Sequence, residues 1–259
     1  MKPQIKLTTT KTPDGGEMGL YQHDQDFAIK VNGQQLMSSR QHESELALAR
    51  LGCAHLSARK ASCVLIGGLG MGYTLRQTLE MLGTDGKVIV SELLPEVVEW
   101  NGTFLKELNG KSLKDERTEI KIGDINLLLA NSVDSFDAVL LDIDNGPSAI
   151  TDLGNDQLYT RAGMENCRRA LRDKGCLAIW SAEPSKEFEQ LLMSCHFHVR
   201  RYKVPAYAGT QRNSRFIWLA TENAKLLPPG GGEPRPAKKK TPKGNKYTQR
   251  REGTKKPKR

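Results

Sequence analysis

The chain has 259 residues, 37% hydrophobic and 27% charged, an ordinary balance for a globular protein with room for one large domain or two small ones. That composition excludes a disordered, collagenous or membrane-spanning chain, because no apolar run approaches the roughly 20 residues a membrane helix needs. Charge is uneven: residues 233–259 hold 12 of the 39 Lys+Arg but only Glu233 and Glu252 of the 30 Asp+Glu, so 27 basic and 28 acidic residues remain elsewhere and the net +9 belongs to the C-terminal stretch.

The opening residues, MKPQIKLTTTKTPDGG, lack the apolar core of a secretion signal, which predicts a cytoplasmic protein. Segment 27–39, FAIKVNGQQLMSS, reads as a hairpin turning at Asn32-Gly33. A helix follows, with Leu46, Ala49 and Leu51 near one face. From Ala61 to Ala220 short apolar runs alternate with amphipathic stretches, the pattern of βα units over a mostly parallel sheet. Strands are expected at 62–68, 87–93, 118–124, 136–144 and 175–182, and helices at 73–82, 95–108, 160–172 and 184–194. The runs 197–204 and 214–221 are joined by too short a connector for a crossover helix, so they pair antiparallel. From Leu226 on, proline, glycine and positive charge replace apolar residues, and such a segment cannot offset its ordering entropy. The expected organisation is a β extension with a linking helix over 1–58, an α/β domain over 59–225 and a disordered basic tail over 226–259. The tail suits phosphate contacts with RNA or another polyanion, and equally a solvated, solubilising role.

Chemistry concentrates at the strand ends. The first βα junction, VLIGGLGMGYTLR, places Gly68, Gly70 and Gly72 between a strand and a helix, where the backbone can approach a ligand at the helix N-terminus. G-x-G-x-x-G would need a small residue at Tyr73 or Leu75, so a nicotinamide dinucleotide is disfavoured, and no Gly-Lys-Ser/Thr follows to make a phosphate loop. G-x-G-x-G is the spacing of S-adenosylmethionine-binding domains. Glu92, twenty residues after Gly72, ends the second strand where an acid accepts from ribose hydroxyls. Asp124 ends the third, in reach of an adenine amino group. Asp142 and Asp144 end the fourth in DIDNGP, on one side of the strand if it stays extended. They form the candidate catalytic pair: a carboxylate there deprotonates an amine nucleophile or holds a cationic substrate, with Asp144 the one expected to cap the following turn.

Elsewhere the sequence offers less. His42, Glu43 and Glu45 fit either the cleft or a charged helix start. His196 and His198 lack the spacing of a metal site, and Trp180 and Trp218 fall in core strands. The five cysteines, Cys53, Cys63, Cys167, Cys176 and Cys195, are odd in number with no C-x-x-C, so buried free thiols are expected rather than disulfides or zinc.

Taken together, VNGQQLMSS, VLIGGLGMGYTLR, VIVSELLPEVVEW, IKIGD, FDAVLLDIDNGP and LYTRAGMENCRRALRDKGCLAIWSA resemble the spermidine synthase family over about Phe27–Ala220. The resemblance implies a Rossmann-like, class I S-adenosylmethionine-dependent methyltransferase fold behind a small β domain, often dimeric. It also implies polyamine biosynthesis, with aminopropyl transfer from decarboxylated S-adenosylmethionine to putrescine. Residue by residue it makes Glu92 the ribose acid, Asp124 the adenine-side acid, Asp142 the proton acceptor and Tyr159 a substrate-binding residue. The chain departs from the family in the glycine loop, where Leu69-Gly70-Met71 replaces a G-G-G-D-G acid. It departs again in the fourth-strand loop, where Asp142-x-Asp144 replaces D-x-x-D-P, and after the hairpin, which lacks Tyr-His-Glu. The leading expectation is a transferase using S-adenosylmethionine or its decarboxylated form as co-substrate, without metal, acting on a small amine. The alternatives are a methyltransferase, directed to RNA by the tail, and a non-catalytic nucleoside-binding protein.

Overall fold

The computed structural model describes residues 3–57, 59–143, 147, 157–209 and 214–234. Asp144 and most of the basic tail lie outside the described residues. The N-terminal part is a four-stranded antiparallel sheet of β1 (Ile5–Lys11), β2 (Glu17–His23), β3 (Asp26–Val31) and β4 (Gln34–Ser38), paired in that order. The β3–β4 turn falls at Asn32-Gly33, whose φ values of +48° and +80° are those of the tight hairpin turn. Strands β1 and β2 have no counterpart in the sequence reading. IKLTTTK offers β-branched residues without apolar alternation, and its pairing to β2 rests on backbone hydrogen bonds.

Helix α1 (Glu43–Gly52) crosses from this sheet to the main domain. Its buried residues are Ser44, Glu45, Leu48, Ala49 and Gly52, while Leu46 and Leu51 are only half-buried. The expected face is therefore rotated. The reason lies in close packing: a Cβ on Gly52 would come within 2.3 Å of a Leu140 methyl, so only glycine lets the helix lie this near the sheet.

The main sheet contains β5 (Cys63–Gly67), β6 (Lys87–Glu92), β7 (Thr118–Ile122), β8 (Phe136–Leu141), β9 (Leu171–Ser181), β10 (His198–Pro205) and β11 (Ser214–Thr221), ordered β10-β11-β9-β8-β5-β6-β7. Neighbours from β7 through β9 are parallel, and β11 is antiparallel to both β9 and β10, as its short connector requires. The helices are α2 (Tyr73–Met81), α3 (Pro95–Gly102), α4 (Lys106–Asn109), α5 (Ile125–Ala130), α6 (Arg161–Ala170) and α7 (Lys186–Ser194). Strand alternation divides the core: Val64 and Ile66 join the layer beneath α1, α2 and the N-terminal sheet, and Leu65 joins the layer with α5, α6 and α7.

Several boundaries differ from expectation. The helix expected over 95–108 breaks at Thr103 into α3 and α4. Helix α6, capped by Thr160 accepting from the Gly163 N–H, ends at Ala170 because Leu171 is already extended and opens an eleven-residue β9. Of the stretch from Leu226, residues 226–234 are described and pack against the domain, with Leu227 buried. Arg200 Nη1 and Tyr202 Oη each donate to the Pro228 carbonyl at 2.6 Å, and Gly232 exchanges backbone hydrogen bonds with Arg201 on the β10 edge. Edge-strand pairing needs no apolar side chains, which is why composition gave no sign of these contacts.

Candidate active site

A parallel sheet whose connections diverge on either side of one strand opens a crevice at the carboxyl ends. Here that strand is β5, between β6 and β8. The loop leaving it turns through Gly68 at φ +87°, and a Cβ there would lie 2.4 Å from the Asp142 carbonyl oxygen. Any other residue would push the β5 and β8 exits apart. Leu69 and Met71 point into the core, so no side chain of this loop reaches the crevice as an acid would.

The β6 exit brings Glu92, 7% exposed. Its Oε2 accepts from the Leu69 N–H and its Oε1 from the Leu94 N–H, both at 2.9 Å, clamping the two loops that border the crevice. Asp124 follows β7, exposed, and caps α5 by accepting from the Asn126 N–H at 2.7 Å. Asp142 follows β8; its own N–H donates to the Gly67 carbonyl at 2.9 Å, which fixes its position against β5. Buried Thr74, in the first turn of α2, donates to Asp142 Oδ2 at 2.5 Å.

Across from Asp142, α1 presents Glu45. It is 8% exposed, and one carboxylate oxygen accepts from Ser44 Oγ at 2.5 Å. Burial raises the proton affinity of both carboxyls. For Glu45 the neighbouring Asp142 charge adds to burial, with the Ser44 hydrogen bond and Arg215 pulling the other way. For Asp142 the Thr74 hydrogen bond partly offsets burial. The two titrate as a pair that holds a proton well above the usual carboxylate range.

These groups line one cavity of about 260 Å³. Its floor is the strand ends, with Gly68, Gly70, Glu92, Asp124 and Asp142, and its roof comes from the N-terminal sheet through Leu36, Met37 and Ser38. Gln41, also on the wall, donates to Tyr207 Oη at 2.5 Å and so ties the roof to the β10–β11 connection. Trp180 at the end of β9 and Arg215 at the start of β11 complete the far wall, with the guanidinium carbon 5.9 Å from the indole centroid. Among the described residues, the charged groups of the lining are four acids, Glu45, Glu92, Asp124 and Asp142, and one cation, Arg215.

The structure thus brings together Gly68, Gly70, Glu92, Asp124 and Asp142 from the sequence reading. Gly72 lies behind the wall: it caps α2 at φ +82° and packs on Asn101 and Asn109. Tyr159 is half-buried, donates to the Ile143 carbonyl at 3.5 Å and meets Phe188 edge-on, outside the cavity lining. His42 stacks on Tyr73 at 4.3 Å and Glu43 faces Arg50, so Glu45 alone of that trio enters the cavity. Sequence reasoning gave Glu45 no priority; its signal was an acid in helical register with Leu48, Ala49 and Gly52. It missed Arg215 altogether and gave Trp180 only a core role, whereas the indole serves both the core and the wall.

The described residues hold no group of three or more His, Cys, Asp or Glu that could bind a metal, and no described helix is long and apolar enough to cross a membrane. Cys53, Cys167 and Cys176 are buried and their thiols are pushed up to about 12, so they are unreactive at neutral pH.

The sheet order, the divergence at β5 and the antiparallel β11 define a Rossmann-like α/β protein with the fold of class I S-adenosylmethionine-dependent methyltransferases. Its solved likeness includes the spermidine synthase of Thermotoga maritima, which superposes with a TM-score of 0.69 over 86% of this chain and 76% of that one at 19% identity. The chain belongs to the spermine/spermidine synthase domain family, whose family model matches residues 47–208. Among curated relatives, the polyamine aminopropyltransferase of Prochlorococcus marinus is 33% identical over 144 residues, 55% of this chain and 47% of that protein. That of Nitrosomonas europaea is 28% identical over 163 residues, 61% of this chain and 46% of that protein. The match thus spans about half the length of each of these relatives.

Proposed function

We propose that the protein is a transferase that moves an aminopropyl group from decarboxylated S-adenosylmethionine to a small amine. The observation that carries this reading is the cavity's charge: among its described lining residues four acids, of which the Glu45–Asp142 pair retains a proton, stand against one arginine, with the arginine at the β11 end, away from the glycine loop. A donor bearing a free carboxylate meets acids along β5–β8, whereas an aminopropyl ammonium meets favourable partners there. Glu92 and Asp124 suit the ribose and adenine by their strand-end positions.

In the reaction, the acceptor nitrogen attacks the propyl carbon bonded to the sulfonium. The carbon–nitrogen bond forms as the carbon–sulfur bond breaks, and the bonding pair stays on sulfur, leaving neutral methylthioadenosine. The nitrogen's surplus proton passes to Asp142. Burial, which raises that carboxyl's proton affinity, makes it a better base once ionised. Glu45 places a second carboxyl beside it and takes part in holding the cationic amine.

Incubation with each donor and a panel of amines tests the reading. Methylthioadenosine from the decarboxylated donor is the expected product. S-adenosylhomocysteine from the carboxylated donor would replace it with methyl transfer, and binding of neither donor would remove both. The family's dimeric habit and the charge of residues 233–259 extend the proposal to a homodimer whose tails contact RNA or another polyanion. Sedimentation and salt-dependent RNA retention, compared with a chain ending at Pro234, check these two points.

A further inference from the structure

Strand order divides the cavity into two halves. Gly68, Glu92 and Asp124 occupy the β5–β7 ends, Asp142 stands at the middle on β8, and Trp180 and Arg215 occupy the β9 and β11 ends. Adjacent strands are about 4.8 Å apart, so the start of β11, two strands from β8, lies on the order of 10 Å along the edge from Asp142. Residues 215, 217 and 219 share one sheet face. Ile217 and Leu219 belong to the core layer under α1, so Arg215 enters beside Glu45, with which it interacts electrostatically. Among the described residues the Arg215 guanidinium makes one long hydrogen bond, 3.5 Å to the Ser214 carbonyl, although it carries five donors. It is thus a cation in the cavity wall, laid over the Trp180 ring, with donors to spare.

Given aminopropyl transfer as proposed above, on which this inference rests, the acceptor extends from the nitrogen at Asp142 toward Arg215. We propose that Arg215 selects an acceptor whose far end is a carboxylate, an ω-amino carboxylate, over a diamine. The near ammonium then faces Glu45 and Asp142, and the far carboxylate takes the unused guanidinium donors in the paired geometry arginine favours. A diamine instead sets its second ammonium against the guanidinium, a like-charge contact that rejects it.

The test compares methylthioadenosine release with 4-aminobutanoate and 6-aminohexanoate against the 1,4- and 1,6-diamines, in wild type, Arg215→Gln and Arg215→Glu. The same acceptors are titrated calorimetrically into protein saturated with methylthioadenosine. We expect wild type to favour an amino carboxylate by about tenfold or more in kcat/KM, Arg215→Gln to level the preference and Arg215→Glu to reverse it. Methylthioadenosine release with diamines preferred by wild type, and an unchanged preference in Arg215→Gln, overturns the inference and leaves aminopropyl transfer standing. Amino carboxylate binding that Arg215→Gln abolishes, without methylthioadenosine release, keeps the inference and removes the transfer reading. Absence of both binding and release overturns the two together.

Discussion

Two aspartates at opposite ends of one strand are treated in opposite ways. Asp137 near the start of β8 is 4% exposed and fully engaged: Oδ1 accepts from Arg59 and Oδ2 from Arg172, each at 2.7 Å, and Oδ2 also takes the Cys63 N–H at 2.8 Å. Asp142, just past the other end, has one hydroxyl donor in Thr74 and faces a second carboxyl, Glu45. At the amino edge of the sheet a buried charge is neutralised and ties β5, β8 and β9 together. At the carboxyl edge charge is left under-neutralised, which costs stability and leaves an attraction for a cation to use. The same residue type is structural where its partners are in the chain and chemical where they have to come from outside.

The sharpest way to break this contrast is to swap the acids for amides. Asp142→Asn is expected to lower methylthioadenosine formation by about 10²–10⁴-fold, the range for losing a general base. Nucleoside binding by calorimetry should be retained; loss of both together would make Asp142 a structural residue like its neighbour. Asp137→Asn is expected to do the reverse. Two arginines lose their counter-charge, and urea unfolding should report about 2–4 kcal/mol of lost stability. Turnover per folded molecule should hold, so a fall in kcat at unchanged fold would dissolve the distinction.

Glu45→Gln sharpens the comparison at a smaller scale. Folding raises the Glu45 proton affinity, so the folded chain binds more protons than the unfolded one once pH exceeds the ordinary Glu range. Its contribution to stability is therefore greatest in acid and is lost as pH rises through the raised value. Glutamine has no such loss. The variant should be more stable than wild type by about 1–3 kcal/mol at pH 8 and by much less at pH 5, as thermal unfolding at the two pH values would show. Equal shifts at both would mean that burial of charge at Glu45 is not the cause.

Much of the site was legible because it follows from repetition. Glu92, Asp124 and Asp142 could be named from position alone, since each ends an apolar run, and in a parallel sheet every such end reaches the same edge. Glu45 could not be separated from His42 and Glu43. The three are close in sequence, but a helix turns about 100° per residue, and only packing against β8 through Gly52 decides which one faces inward. Arg215 opens an apolar strand, and nothing local marks it until β11 is set antiparallel beside β9, which brings its start to the carboxyl edge.

What the sequence by itself determined is the order of βα units, the glycine turn after β5, the Asn32-Gly33 hairpin, the antiparallel final pair and the strand-end acids. All of these depend on local periodicity or on conformational freedom within a few residues. The tertiary structure alone decided that β1 and β2 complete a roof over the crevice, that Glu45 is buried within electrostatic reach of Asp142, and that Arg215 enters the same cavity from β11. Those relations join residues far apart in the chain, and burial and charge act through space, so no local pattern carries them.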